Sequence, residues 1–366
     1  MKPYERFVDN ILGAVRSGQG KDPLAATALI QDVLRNAGLM PGVQAPAEPA
    51  ARAPFVDLNG VPDWLRRPAA PHGAPWARPQ RSAPEAPGQF LAGSFGNAAG
   101  TRRYRLYVPA RAASGPRPLV VMLHGCQQSA GDFAAGTAMN RLAEEHGCLV
   151  LYPDQERGAN SSNCWNWFDA AHQRREEGEP SLIAGMTRDV LREHGADPGR
   201  VYVAGLSAGG AMAAVMGAAY PDLYAAVGVH SGLPVGAARD LMSGLNAMKG
   251  KHLGGKSQAL RRRVPLIVFH GDQDAVVHPS NGAALYRQFT QVGVRELEER
   301  GAAGAGRGHT RTTALDDAGR VVAEHWVVHG AGHAWAGGDP AGSYTDAAGP
   351  DASAEMLRFF LDQAGG

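Results

Sequence analysis

From about residue 92 onward, short and almost wholly apolar runs alternate with stretches of helical period. YRLYVPA (104–110), PLVVMLHG (118–125), CLVLYPD (148–154) and VYVAGLS (201–207) read as strands, as do AAVGVHSG (225–232), PLIVFHGDQD (265–274) and EHWVVHGAGHAW (324–335). Such continuous apolar runs are what strands buried on both faces require. FAAGTAMNRLAEEHG (133–147), SLIAGMTRDVLREHG (181–195), AGGAMAAVMGAAYP (208–221) and MLRFFLDQA (356–364) read as helices. Apolar strands alternating with helices predict the α/β class, a mostly parallel sheet covered on both faces.

The first ninety residues have a different texture. Phe7, Ile11, Leu12 and Val15 form one helical stripe, and Leu24, Leu29, Ile30, Val33 and Leu34 form a second. This predicts an amphipathic helical segment over 1–40, packing on its own body, on a second copy, or on a hydrophobic surface such as a polymer granule. Residues 41–90 hold 11 of the chain's 25 prolines, so a Pro/Ala-rich linker is expected over 41–91, with the catalytic domain at 92–366.

Composition narrows the function classes. Lys+Arg of 36 against Asp+Glu of 35 gives a formal net charge of +1, which supplies no global attraction for nucleic acid or an anionic membrane. No apolar run is long enough to span a bilayer. Lys2 and Arg6 are not followed by an uninterrupted apolar core, so no Sec signal is visible and a cytoplasmic location is the expectation from sequence. The three cysteines, Cys126, Cys148 and Cys164, lack the paired spacing of a metal site, and neither a metal nor an organic cofactor is expected.

The chemistry is concentrated where the strands end. Loops at the carboxyl ends of parallel strands converge on one edge of a sheet, where ligands bind. Gly205-Leu206-Ser207-Ala208-Gly209 fits G-x-S-x-G between a strand and a helix, the context of a nucleophile elbow. Ser207 is therefore the candidate nucleophile, and a serine hydroxyl needs an adjacent base. In this arrangement the acid and the histidine follow the serine along the chain. Asp272 and Asp274 compete for the acid. Asp274 is preferred because the apolar Ala275-Val276-Val277 anchors the loop behind it, leaving Asp272 to hydrogen-bond the turn. Of His325, His329 and His333, the first lies within a strand and the second at its end. His333, after the flexible Gly-containing turn, is the candidate base. The backbone N–H groups of Ala208 and Cys126 are the candidate oxyanion donors. The Cys126 thiol is a rival nucleophile, but no histidine is better placed to activate it than to activate Ser207.

LHGC, NCWNWF, GLSAGGAMA, HGDQDAVV and GAGHAW, in that order, resemble the polyhydroxybutyrate depolymerase-type esterases of the α/β-hydrolase superfamily, a group that includes feruloyl and acetylxylan esterases. The resemblance covers residue 92 to the end. It implies an α/β-hydrolase fold and a serine carboxylester hydrolase acting through an acyl-enzyme on short-chain hydroxyalkanoate polyesters or oligomers. Feruloyl or acetylxylan ester hydrolysis, and a non-catalytic granule-binding role, are the alternatives. It also implies a Cys126–Cys164 disulfide beside the oxyanion hole, with Cys148 left as a core residue, and an extracellular location for some members. Trp165 and Trp335 are candidate walls for the acyl or alcohol part of a substrate, with ordinary core packing as the alternative. Residues 235–262 read as a cap over the site or a surface insertion.

Overall fold

The computed structural model describes residues 87–363 apart from 113, 252–259, 261, 263, 291–292 and 302–305. The helical segment expected at 1–40 and nearly all of the expected linker lie outside the described residues. The strands of the main sheet in chain order are β1 (Gln89–Asn97), β2 (Gly100–Val108), β3 (Leu119–Leu123), β4 (Leu149–Asp154), β5 (Val201–Leu206), β6 (Ala226–His230), β7 (Leu266–Gly271), β8 (Arg295–Gly301), β9 (His309–Leu315) and β10 (Val321–Val328). Across the sheet they lie in the order β1-β2-β4-β3-β5-β6-β7-β10-β9-β8. The central strands from β4 to β10 are mutually parallel, and antiparallel pairs close both edges. Among the described residues, no helix is long and apolar enough to cross a membrane.

Period-two alternation builds a core on each face of the sheet. Leu119, Val121 and Leu123 of β3 point into one apolar cluster, and Val120 and Met122 into the other. Helices α3 (Gly178–Glu193), α4 (Ala208–Ala219) and α6 (Ser280–Thr290) contribute to the first cluster. Helices α1 (Ala130–Thr137), α2 (Met139–His146) and α7 (Ala352–Asp362) contribute to the second. This is the α/β-hydrolase arrangement.

Three local differences from the sequence expectation have physical causes. The single helix expected over 133–147 is two helices, because Ala138 takes a left-handed conformation (φ 50°) and ends α1. Strands β8 and β9 escape the hydropathy pattern because β8, RELEERG, is an edge strand with almost every residue exposed. The sheet also begins at Gln89, ahead of residue 92, with exposed positions along most of β1. In the 235–262 region, Asp240 caps a short helix, α5 (Leu241–Met248), and the Met248 carbonyl accepts the His278 N–H.

Candidate active site

Ser207 sits between β5 and α4 with φ 57° and ψ −118°, a strained conformation for a residue with a Cβ. Its N–H donates to the His230 carbonyl at 2.8 Å, which ties the elbow to the end of β6. The neighbouring glycines have a steric reason. A Cβ at Gly209 would run into the carbonyl oxygens of Leu123 and His124, and one at Gly205 into the Gly209 carbonyl. The elbow thus packs directly on the end of β3, and the loop beyond β3 starts beside Ser207.

That loop carries Cys126. His124 is fully buried, and its Nε2 accepts the Gln155 N–H at 3.0 Å. Its proton is therefore on Nδ1, which donates to the Gly125 carbonyl at 2.8 Å. Burial lowers the pKa of this histidine, keeping it neutral. Gln128, also buried, accepts the Gly125 N–H and donates through Nε2 to Asp132 and to Ser343. Cys126 is joined to Cys164 by a disulfide, and the Gln127 N–H donates to the Ser162 carbonyl at 2.7 Å. Among the described residues no protein acceptor takes the N–H of Cys126 or of Ala208. Ala208 is the first residue of α4, so its N–H belongs to the helix terminus, where the dipole favours negative charge.

The acid and base come from adjacent parallel strands, β7 and β10. Asp274 is almost completely buried, and its Oδ1 accepts the N–H groups of Val276 and Val277 at 2.9 and 2.8 Å. Its Oδ2 faces His333 Nδ1 at 2.7 Å and His270 Nε2 at 3.5 Å. Burial alone would raise the Asp274 carboxyl, but the hydrogen bonds and charge of the two histidines outweigh it and hold the group well below the usual carboxylate range. The aspartate is therefore ionised and points at the imidazole. No hydrogen bond joins Ser207 Oγ to His333 among the described residues; in unliganded enzymes such contacts often tighten only with substrate.

Asp272 hydrogen-bonds Gln273 of its own turn and also reaches beyond it. Its carboxylate reaches across to the histidine loop, with Oδ2 3.1 Å from His329 Nδ1 and Oδ1 accepting the Gly330 N–H at 2.7 Å. His329 is exposed, and its Nε2 meets Thr310 Oγ1 at 3.0 Å. His325 is stacked on Tyr286, and burial pushes its pKa down to about 4. Cys148 is buried, and burial pushes its thiol up to about 11.

Two expectations need correcting. Trp165 is fully buried, packed beside His124, and offers no open ring face to a ligand. Trp335 is buried as well: its Nε1 donates to Ser353 Oγ, and its ring packs against His230 and Phe133. Both are core residues because their large apolar rings fill the space under the loops rather than above them.

Several supporting residues carry no sequence signal. Glu179 is buried in α3 and accepts from the Asn166 backbone, the Asn166 side chain and Gln155 Nε2, with Arg102 3.7 Å away. It organises the 155–166 segment, which is bridged to the Cys126 loop. His230, through Ala336, and Gln128, through Ser343, likewise tie the site to segments distant in sequence.

The profile of the family described as Esterase PHB depolymerase matches residues 102–315, more than half of the chain. The chain belongs to this family. Among its curated relatives is the poly(3-hydroxyalkanoate) depolymerase C of Paucimonas lemoignei, 34% identical over 208 residues, covering 54% of this chain and 50% of that protein. The poly(3-hydroxybutyrate) depolymerase of Ralstonia pickettii is 29% identical over 263 residues, covering 64% of this chain and 51% of that protein. This member of the family thus spans about half the length of those relatives. An acetyl xylan esterase from Aspergillus awamori shares the fold, with a TM-score of 0.54 and 22% identity over 71% of this chain and 94% of that one.

Proposed function

We propose that the chain is a serine carboxylester hydrolase acting on short-chain hydroxyalkanoate polyesters or their oligomers. Ser207 Oγ attacks the ester carbonyl while His333 takes its proton, and Asp274 orients the imidazole and stabilises the imidazolium. The developing oxyanion is met by the N–H groups of Cys126 and Ala208. His333 then protonates the departing alcohol, and a water activated by the same histidine releases the acid. The observation that carries the reading is the 2.7 Å pairing of His333 with a buried, ionised Asp274, on loops beside the strained Ser207 elbow.

Membership of the depolymerase family supports the polyester as substrate class. The test compares wild type and Ser207→Ala on p-nitrophenyl butyrate, then compares release of 3-hydroxybutyrate from polymer and oligomer with hydrolysis of methyl ferulate and acetylated xylan. Loss of butyrate hydrolysis in a folded Ser207→Ala, with preferential release of 3-hydroxybutyrate by wild type, is the expected result. Faster turnover of methyl ferulate or acetylated xylan would reassign the substrate. Undiminished activity of Ser207→Ala would remove the mechanism.

A further inference from the structure

On β7, Leu266 and Val268 point into the first core cluster, and by the two-residue period His270 shares their face. An apolar residue would suit this place, since His270 is buried. The fold instead makes room for an imidazole. Gly282 of α6 lies against the ring, and a Cβ there would come within 2.8 Å of Nδ1. Nδ1 itself has no partner among the described residues, and an unpaired buried acceptor costs stability. The return is at the other nitrogen. Nε2 donates to the Val277 carbonyl at 2.8 Å, so it carries the hydrogen, and it lies 3.5 Å from Asp274 Oδ2. The same oxygen takes His333 Nδ1 at 2.7 Å. Two histidines therefore face one carboxylate oxygen, one from the end of β7 and one from the loop after β10. A buried polar group that breaks an apolar pattern at a stability cost is expected where function requires it.

We propose that His270 is a positioning residue that shares Asp274 with His333: it clamps the 274–277 turn and draws part of the carboxylate's charge away from the base, which sets the lower end of the pH range in which His333 works. The inference rests on the esterase reading above. The clamp is two-sided, because Asp274 Oδ1 accepts the Val277 N–H while His270 donates to the Val277 carbonyl. A donor facing Oδ2 stabilises the carboxylate and weakens its pull on the imidazolium of His333. Without that donor the imidazolium is held more tightly, and the base stays protonated to higher pH. The other titratable and charged groups acting here are His230, at the end of β6, His325 on β10, and Arg287 of α6. His230 is influenced by His270, His333 and Asp274, and His325 by His270 and Arg287. Burial pushes the two histidines down to about 3 and about 4, so both are uncharged where a histidine base titrates.

The experiment measures kcat/KM for p-nitrophenyl butyrate from about pH 5 to 9 in wild type, His270→Gln, His270→Leu and His270→Asn. Glutamine carries an amide N–H to the place of Nε2, leucine carries none, and asparagine brings its amide only as far as Nδ1. Thermal midpoints show which variants are folded, and a merely structural role predicts lower midpoints with the pH profile unmoved. In His270→Leu and His270→Asn the acid limb is expected to move to higher pH by roughly 0.5 to 1, and in His270→Gln to return to within about 0.2 of wild type. Imidazole nitrogen NMR of the wild type gives a second readout that needs no folded variant: the His270 Nε2–H resonance is expected to shift with the midpoint of the acid limb. A limb that stays in place or moves to lower pH without the donor, a limb that moves as far in His270→Gln, or a His270 resonance indifferent to that midpoint would overturn the proposal. Any of these in an active, Ser207-dependent enzyme removes the positioning role alone. A wild type without ester hydrolysis, or a Ser207→Ala with full activity, would instead overturn the esterase reading, and the positioning role with it.

Discussion

His333 Nδ1 lies 2.7 Å from Oδ2 of Asp274, whose other carboxylate oxygen is held by the backbone of Val276 and Val277. The carboxylate is thus fixed before any substrate arrives, and the imidazole is fixed by it. Two residues earlier, Asp272 makes the same kind of contact with His329 at 3.1 Å, but at an exposed position. The two aspartates hold the two ends of one histidine loop and should differ sharply in effect. Asp274→Asn is expected to lower kcat on p-nitrophenyl butyrate by on the order of 10³–10⁴-fold. Asp272→Asn is expected to cost less than about tenfold, because a solvent-exposed polar contact contributes little. Steady-state kinetics on both variants check this, and a reversed order would exchange their roles.

The Cys126–Cys164 bridge closes a segment with a sequence separation of 38. Constraining a loop of that length in the unfolded chain contributes about 4 kcal/mol in the chain-entropy picture. It also anchors Cys126, whose N–H we propose as an oxyanion donor. The double variant Cys126→Ser/Cys164→Ser is expected to show a lower thermal midpoint and a reduced kcat. Calorimetry and kinetics under non-reducing conditions are the check, and a variant as stable and as active as wild type would count against both roles.

Gly209 packs without a Cβ against the carbonyls of Leu123 and His124. Backbone cannot yield as a flexible side chain does, so Gly209→Ala is expected to misplace the elbow or fail to fold. Gly131 lies in α1, where a Cβ would meet nothing within 4 Å. Gly131→Ala is expected to be neutral to stabilising, by up to about 1 kcal/mol. Thermal midpoints of the two variants make the comparison.

His230 is fully buried, with Nε2 accepting the Ala336 N–H. Burial, reinforced by the positive charge of nearby His270 and His333, pushes its pKa down to about 3. The unfolded chain binds this proton near pH 6.5 and the folded one near 3, so the stabilisation is complete above 6.5 and is lost as pH falls toward 3. The contribution to the slope between those values is about 1.4 kcal/mol per pH unit. His230→Gln, which retains an acceptor, should flatten that part of the curve. Denaturant unfolding across pH 4 to 7 measures it, and an unchanged slope would contradict the assignment.

Much of this architecture was legible in the hydropathy pattern, and the reason is burial. The six central strands are covered on both faces, so each announces itself as an apolar run, and each ends in the loop that carries chemistry. The elbow was legible because its glycines answer to a steric demand that sequence records directly. Strand β8 was not, since an exposed edge strand has no apolar signature to display. The tryptophans misled for a related reason: an indole has the same composition whether it lines a cleft or fills a core. Trp165 and Trp335 fill the core, while the exposed aromatic that reaches the Cys126–Gln127 loop is Tyr344, in a segment without any apolar pattern. Glu179 with Asn166, Gln128 with Ser343 and His230 with Ala336 support the site through contacts between separate segments, which no local pattern encodes.

The central claim, that Ser207 is the nucleophile, is tested most directly by covalent capture. A fluorophosphonate ester added to the purified protein reacts when an activated serine Oγ displaces fluoride at phosphorus. The predicted result is a single adduct on the peptide containing Ser207, rising in step with loss of p-nitrophenyl butyrate hydrolysis and absent from folded Ser207→Ala. An adduct on another residue with Ser207 unmodified, or loss of activity without any adduct on Ser207, would contradict it.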